Sequence, residues 1–233
     1  MKLEKMTKSG KVAENRWYDD ACGTAMAMEL VGERWSLLIV RELMFGGRRF
    51  GEIKAALNGI SANVLTQRLE GLETAGILKK RKLPPPASVQ IYELTRWGYE
   101  SERAIQELGR WATRSPSHDP SLPLSAASLM LSFRTMLSVE RSAGIAATLG
   151  FRLGDERFTA QLEGGNFAVT RDDPAGADVI FTGTPPGIAA MTYGGVPVDQ
   201  AATVGVAVEG DLALAGRFVG LFPLPPKWTE DAA

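Results

Sequence analysis

The chain has 233 residues, 45% hydrophobic and 23% charged, with a net charge of −1, one cysteine and one histidine. That length allows one large domain or two ordinary ones, and the composition is that of a soluble globular protein. A single Cys with a single His excludes a disulfide framework and a zinc site, and no apolar run nears the roughly 20 residues of a membrane span.

The small total charge conceals two unlike halves. Residues 1–114 hold 19 Lys+Arg against 14 Asp+Glu, a net of +5, and residues 115–233 hold 7 against 13, a net of −6. The first half is therefore a candidate for a polyanionic partner and the second is not.

Residues 1–16 are polar and lysine-rich without the apolar stretch of a signal peptide, and read as a loose arm of a cytoplasmic protein. In "CGTAMAMELVGERWSLLIVRELM" the residues Met26, Leu30, Leu37, Leu38, Val40 and Leu43 recur near a 3.6 period. This predicts a helix that Gly32 either kinks or divides. "FGG" breaks the pattern, and Arg48 and Arg49 open a short helix, "RFGEIKAAL". Ser61 is a good N-cap for "ANVLTQRLEGLETAG", where Leu65, Leu69 and Leu72 line one face and Gly76 stands at the C-terminal end. "ILKKRKL" and "VQIYELT" flank the turn "PPPAS" as a hairpin, and Thr95 caps a helix running to about Arg114. Helix, helix, turn, helix, hairpin, helix is the order of a winged helix-turn-helix. Trp35, Ile39, Leu43, Phe50, Ile53 and Leu57 are its expected core, with Tyr92 and Leu94 holding the hairpin to it.

"SPSHDPSLP" reads as a linker over 115–124. Beyond it, "SAASLMLSFRTMLS" is helical. "GIAATLGFRLGDERFTAQLEGGNFAVTRDD" alternates short apolar runs with Gly and Asp turns, and "DVIFTGTPPGIAAMTYGG" and "VAVEGDLALAGRFVGLF" each read as strand then helix. The fold class is α+β: a mostly helical 17–114 with a two-stranded wing, a second α+β domain over 125–227, and a tail over 228–233.

Five fragments carry a family resemblance in order: Cys22 ten residues before Gly32, "GERWSLLIVREL", "GGRRFGEIKAAL", "GISANVLTQRLEGLETAGIL" and "YELTRWG". Over residues 17–114 the chain resembles the HxlR-type winged helix-turn-helix transcriptional regulators. It departs in the wing, with Ser88 and Ile91 where Arg and Glu are common, so the resemblance supplies no minor-groove arginine at the tip. More loosely, "ADVIFTGTPPGIAAMTYGG", "VAVEGDLALAGRF" and "LFPLP" resemble a sterol-carrier-protein-2-like (SCP2-like) domain, which implies an apolar tunnel able to hold a lipid-like molecule.

A helix fits the major groove, where Asn and Gln pair with adenine, Arg with guanine, and Ser or Thr with several edges. With the leucines inward, Ser61, Asn63, Thr66 and Gln67 form the reading face and Arg68 its flank. Lys79, Lys80, Arg81 and Lys82 are candidates for phosphate contact, as are Arg48 and Arg49, of which one is expected to meet phosphate and the other a carboxylate. The resemblance implies a homodimer on an inverted repeat. The helix bearing Trp97, Ile105, Leu108 and Trp111 and the segment Trp17–Cys22 are its candidate interface.

Two inputs compete. Cys22 stands where several relatives sense oxidants or electrophiles, although Asp19 and Asp20 would raise its pKa and a buried inert thiol is the bland reading. Alternatively, the second domain takes an apolar small-molecule effector. No catalytic pair, metal cluster or cofactor loop is found, and His118 reads as a solvated linker residue. The rival function is a lipid-like carrier whose first domain serves mainly for dimerisation.

Overall fold

The structure, a computed structural model, describes residues 18–230; the expected arm over 1–16, Trp17 and the last three residues of the tail lie outside them. It divides into two units, Met1–Leu43 with Gly47–Ser101, and Met44–Gly46 with Glu102–Ala233.

The first unit runs α1 (Gly23–Val31), α2 (Ser36–Leu43), α3 (Phe50–Ala56), α4 (Ala62–Thr74), β1 (Leu78–Lys82), β2 (Gln90–Leu94) and α5 (Arg96–Glu100). Gly32 divides the first predicted helix in two. A Cβ there would stand 2.4 Å from Met28 O, so the chain turns tightly, and Trp35 then takes a left-handed φ of 82°. A bulky residue in that region costs about 1–3 kcal/mol and persists only where its surroundings enforce it.

Ile39, Leu43, Ile53, Leu57, Leu65, Leu69 and Leu72 are buried, as expected, and Tyr92 and Leu94 with them; Trp35 and Phe50 are only half-buried. β1 and β2 pair antiparallel from Leu78↔Leu94 to Lys82↔Gln90. This is a winged helix-turn-helix.

The helix expected from Thr95 to Arg114 is interrupted. Thr95 caps α5 by accepting from Gly98 N at 3.0 Å, but Ser101 Oγ and N both donate to Gly98 O, at 2.7 and 3.3 Å. A serine that takes its own helix's carbonyl competes with the ladder, and α6 (Glu102–Ala112) starts anew. Packing groups α6 with the second unit: Glu102 pairs with Arg134 at 2.8 Å, and Arg110 donates to Thr135 O.

The second unit continues with α7 (Ala126–Met136), α8 (Val139–Ser142), β3 (Ala147–Leu153), β4 (Glu156–Glu163), β5 (Asn166–Thr170), β6 (Val179–Gly183) and α9 (Pro185–Thr192). A 3₁₀ turn (Val198–Val204), β7 (Ala207–Gly210) and α10 (Leu212–Val219) complete it. The sheet order is β5-β4-β3-β6-β7, antiparallel except for β3 beside β6. Phe133 of α7 and Phe218 of α10 meet Phe151, Phe167 and Phe181 of the strands and Phe222, with neighbouring ring centroids 4.5–6.5 Å apart. These rings form one aromatic cluster in the interior of the second unit. Tyr193 Oη donates to Ser132 Oγ at 2.8 Å, and burial drives its pKa upward.

Two polar fastenings tie distant segments of this unit. Arg134 donates to Phe167 O and Val169 O of β5, both at 3.2 Å. The C-terminal segment is fixed to the end of α6. There Trp228 N–H donates to Arg114 O at 2.8 Å, Lys227 Nζ to Thr113 O and Ser115 O at 3.0 Å, and Arg114 Nε to Pro226 O at 3.3 Å. Among the described residues no helix is long and apolar enough to cross a membrane.

Candidate nucleic-acid interface

α4 owes its position to both ends of its sequence. Ser61 Oγ accepts from Val64 N at 3.2 Å, a cap worth about 1 kcal/mol. At the other end Gly76 takes φ +75°, its N–H reaches Glu73 O at 3.0 Å, and Ile77 N reaches Leu72 O at 2.9 Å. That paired closure terminates the helix and turns the chain into β1. Leu65, Leu69 and Leu72 are at most 1% exposed, which directs Asn63, Thr66 and Gln67 outward. These three side chains make no hydrogen bond among the described residues. Ser61 spends its hydroxyl as an acceptor on the cap. Glu70, one turn beyond Thr66, extends the exposed face with a carboxylate that the sequence reading did not assign.

Of the predicted DNA contacts, Arg48 is withdrawn from the surface and Arg68 shares its charge with a carboxylate. Arg48 lies 6% exposed, in a backbone bridge to Tyr92, with Nη1 at 2.8 Å from Glu42 Oε2; Glu42 is fully buried and also holds Arg41 at 2.8 Å. Arg48 is thus the arginine of the pair that takes the carboxylate. Arg49 remains outward, its side chain 56% exposed and 3.9 Å from Glu52. Arg68, half-buried, is paired across the surface, with Nη2 2.6 Å from Glu33 and Nε donating to Arg34 O at 3.0 Å. It ties α4 to the turn that precedes Trp35.

The four wing cations differ from one another. Strand alternation puts Lys79 and Arg81 on one face, where both pair with Glu93, at 3.2 and 2.9 Å. Lys80, on the other face, pairs with Glu73 at 3.1 Å and stands 5.9 Å from the Tyr92 ring. Hydrogen bonding to Arg81, then Lys79, holds the Glu93 carboxyl below the usual range, and Glu73 raises Lys80. Lys82 has no ion pair among the described residues. Ser88, at the wing tip, adopts φ +44° and carries no charge.

Cys22 is exposed at the N-cap of α1. The Thr24 amide and hydroxyl and the Ala25 amide lower its pKa, outweighing the opposing carboxylate of Asp20. The rise expected from a neighbouring aspartate is thus present but outweighed. Asp20 Oδ1 instead accepts from Cys22 N at 2.8 Å, and the thiol is not buried.

A helix-turn-helix with an outward polar reading helix and a basic wing defines a DNA-binding regulator of transcription. The chain belongs to the HxlR-like helix-turn-helix family, whose model matches residues 30–119. The uncharacterised HTH-type transcriptional regulator YvaP of Bacillus subtilis is 39% identical over 87 residues, which are 37% of this chain and 81% of that one. The HTH-type transcriptional regulator YodB of the same organism is 38% identical over 86 residues, 37% of this chain and 77% of that one. The reduced form of YodB, as a solved structure, matches 43% of this chain and all of its own length at 34% identity, with a TM-score of 0.39. These curated relatives are regulators of transcription, not enzymes.

Proposed function

We infer that the chain binds an inverted-repeat operator as a homodimer, dividing its work between a DNA-binding 17–114 and a second domain over 125–227. α4 enters the major groove, Asn63, Thr66 and Gln67 meet base edges, and Arg49 and Lys82 meet phosphate. One observation carries this reading: the leucine stripe of α4 is wholly buried while three hydrogen-bonding side chains on its other face are exposed and unused. In a two-fold dimer the reading helices lie about one DNA turn apart, roughly 34–36 Å. Self-association is supported by apolar surface on α5 and α6, where Trp97, Leu108 and Trp111 are exposed, and by α1, which has no buried residue.

For the input, Cys22, exposed and with its pKa lowered by neighbouring amides, supports an electrophile or oxidant switch, since the thiolate is the reactive form. The SCP2-like likeness rests on the α+β order of the second unit. An apolar effector, or a carrier's cargo, would be held by that second unit, and the thiol is the favoured input because Cys22 is exposed at the N-cap of α1.

The test is a gel-shift titration with the chain's own upstream DNA. Saturable, competitor-resistant binding is expected, with Gln67→Ala changing sequence preference and Cys22→Ser removing any diamide response. Weak binding that salt erases for every duplex overturns the operator reading.

A further inference from the structure

We propose that the end of α6 and the C-terminal segment form a binding site for a planar aromatic carboxylate. Trp111, in the last turn of α6, and Trp228 wall a cleft of about 550 Å³ completed by Ala112, Arg114, Ser115 and Pro116. The volume lies within the roughly 300–1,000 Å³ usual for small-molecule sites, and a mostly apolar lining with few polar groups is their usual make-up. The indoles remain 72% and 55% exposed, large flat faces with no ring partner among the described residues. Their separation is fixed beforehand, because the hydrogen bonds from Pro226–Trp228 to Thr113–Ser115 tie one wall to the other. A preformed cleft spares a ligand the cost of ordering it.

Charge selects among flat ligands. Arg114 commits Nε to Pro226 O, and its two terminal nitrogens have no partner among the described residues. Lys227 adds a second cation beside the cleft, and Glu230, farther along the same segment, is exposed. A guanidinium fork receives a carboxylate through two parallel N–H···O bonds, while indole faces stack on an aromatic ring. A cationic ligand meets Arg114 and Lys227, and an aliphatic acid leaves both indole faces without a flat partner. Trp111 also lies on the α6 stripe assigned above to self-association, so a second copy is the competing occupant.

Isothermal titration calorimetry on the full chain tests the site, with 2-naphthoate as probe and 2-naphthalenemethanol as its neutral counterpart. Saturable binding of one naphthoate per chain is expected. Arg114→Gln and the neutral alcohol each lose roughly ten- to hundredfold in affinity. Trp228→Ala abolishes binding, Arg114→Lys is intermediate, and Leu212→Ala, at an exposed position on α10 outside the cleft, leaves it unchanged. If Trp228→Ala unfolds the segment, Trp228→Leu keeps the backbone bonds and removes the flat face, with the same loss expected. Absence of saturable heat, equal affinity for the alcohol, or indifference to Arg114→Gln overturns the proposal. So does sedimentation showing that Trp228→Ala turns a dimer that binds no naphthoate into monomers, which gives the cleft to a second copy. Calorimetry reads naphthoate without DNA, so this outcome is separate from that of the operator titration.

Discussion

Charge pairing within the wing makes its cations unequal, and the salt dependence of DNA binding measures the inequality. Each phosphate neutralised contributes about 0.9 to the slope of log affinity against log salt, so one contact changes affinity about 3.5-fold between 50 and 200 mM salt. Lys82, without an ion pair among the described residues, delivers its full charge, and Lys82→Gln is expected to flatten the slope by about 0.9. Lys80 shares its charge with Glu73 at 3.1 Å, so Lys80→Gln flattens it by less. The most discriminating variant is Glu93→Gln, which frees Lys79 and Arg81 together. It is expected to tighten binding and to steepen the slope by up to about 1.8 where both cations reach phosphate. Fluorescence anisotropy with a labelled upstream duplex across a KCl series provides all four slopes. A Glu93→Gln line parallel to or flatter than wild type, or a Lys82→Gln line parallel to it, would refute the assignment of the wing to the DNA backbone.

Three further outcomes are expected. Because neighbouring amides favour the Cys22 thiolate, alkylation by iodoacetamide rises with pH to a midpoint below that of a free thiol near about 8.5, and Thr24→Pro moves the midpoint upward. Glu42→Ala strips Arg41 and Arg48 of a fully buried carboxylate and costs about 3–5 kcal/mol in urea unfolding; a loss under 1 kcal/mol contradicts the buried pair. Arg68→Ala releases Glu33 and Arg34 O at a partly exposed site and costs about 1 kcal/mol by the same assay, an effect that double substitution with Glu33→Ala does not add to.

What could be read in advance was what local chemistry decides. The Ser61 cap, the leucines of α4 and the left-handed Gly76 act within a few residues of one another, and their pattern is visible in the sequence. The hairpin register was nearly legible as well, since placing Leu78 opposite Leu94 puts Glu93 across from Lys79. The partners of Arg48, Arg68 and Lys80 were not, because Glu42, Glu33 and Glu73 reach them only through the packing of separate elements. The sequence offers several carboxylates to each cation and no rule for choosing. The break at Ser101 was missed because Ser is tolerated inside helices, and only its bond to Gly98 O shows the ladder interrupted. The strand meander was readable, but the aromatic filling of the second unit depends on which faces of β3, β5 and β6 meet α7 and α10. The cleft between Trp111 and Trp228 joins residues more than a hundred positions apart.

Arg134 also bears on what the sheet can do to its neighbours. β5 ends the strand order, and an end strand with free carbonyls is a template onto which another chain's strand can add, the first step toward fibrous aggregates. By holding Phe167 O and Val169 O with one guanidinium, Arg134 leaves a docking strand without two of the acceptors it would need. A residue that looks like simple helix-to-sheet glue therefore also acts as a guard against polymerisation at that edge, and its loss would be felt first as insolubility at high concentration.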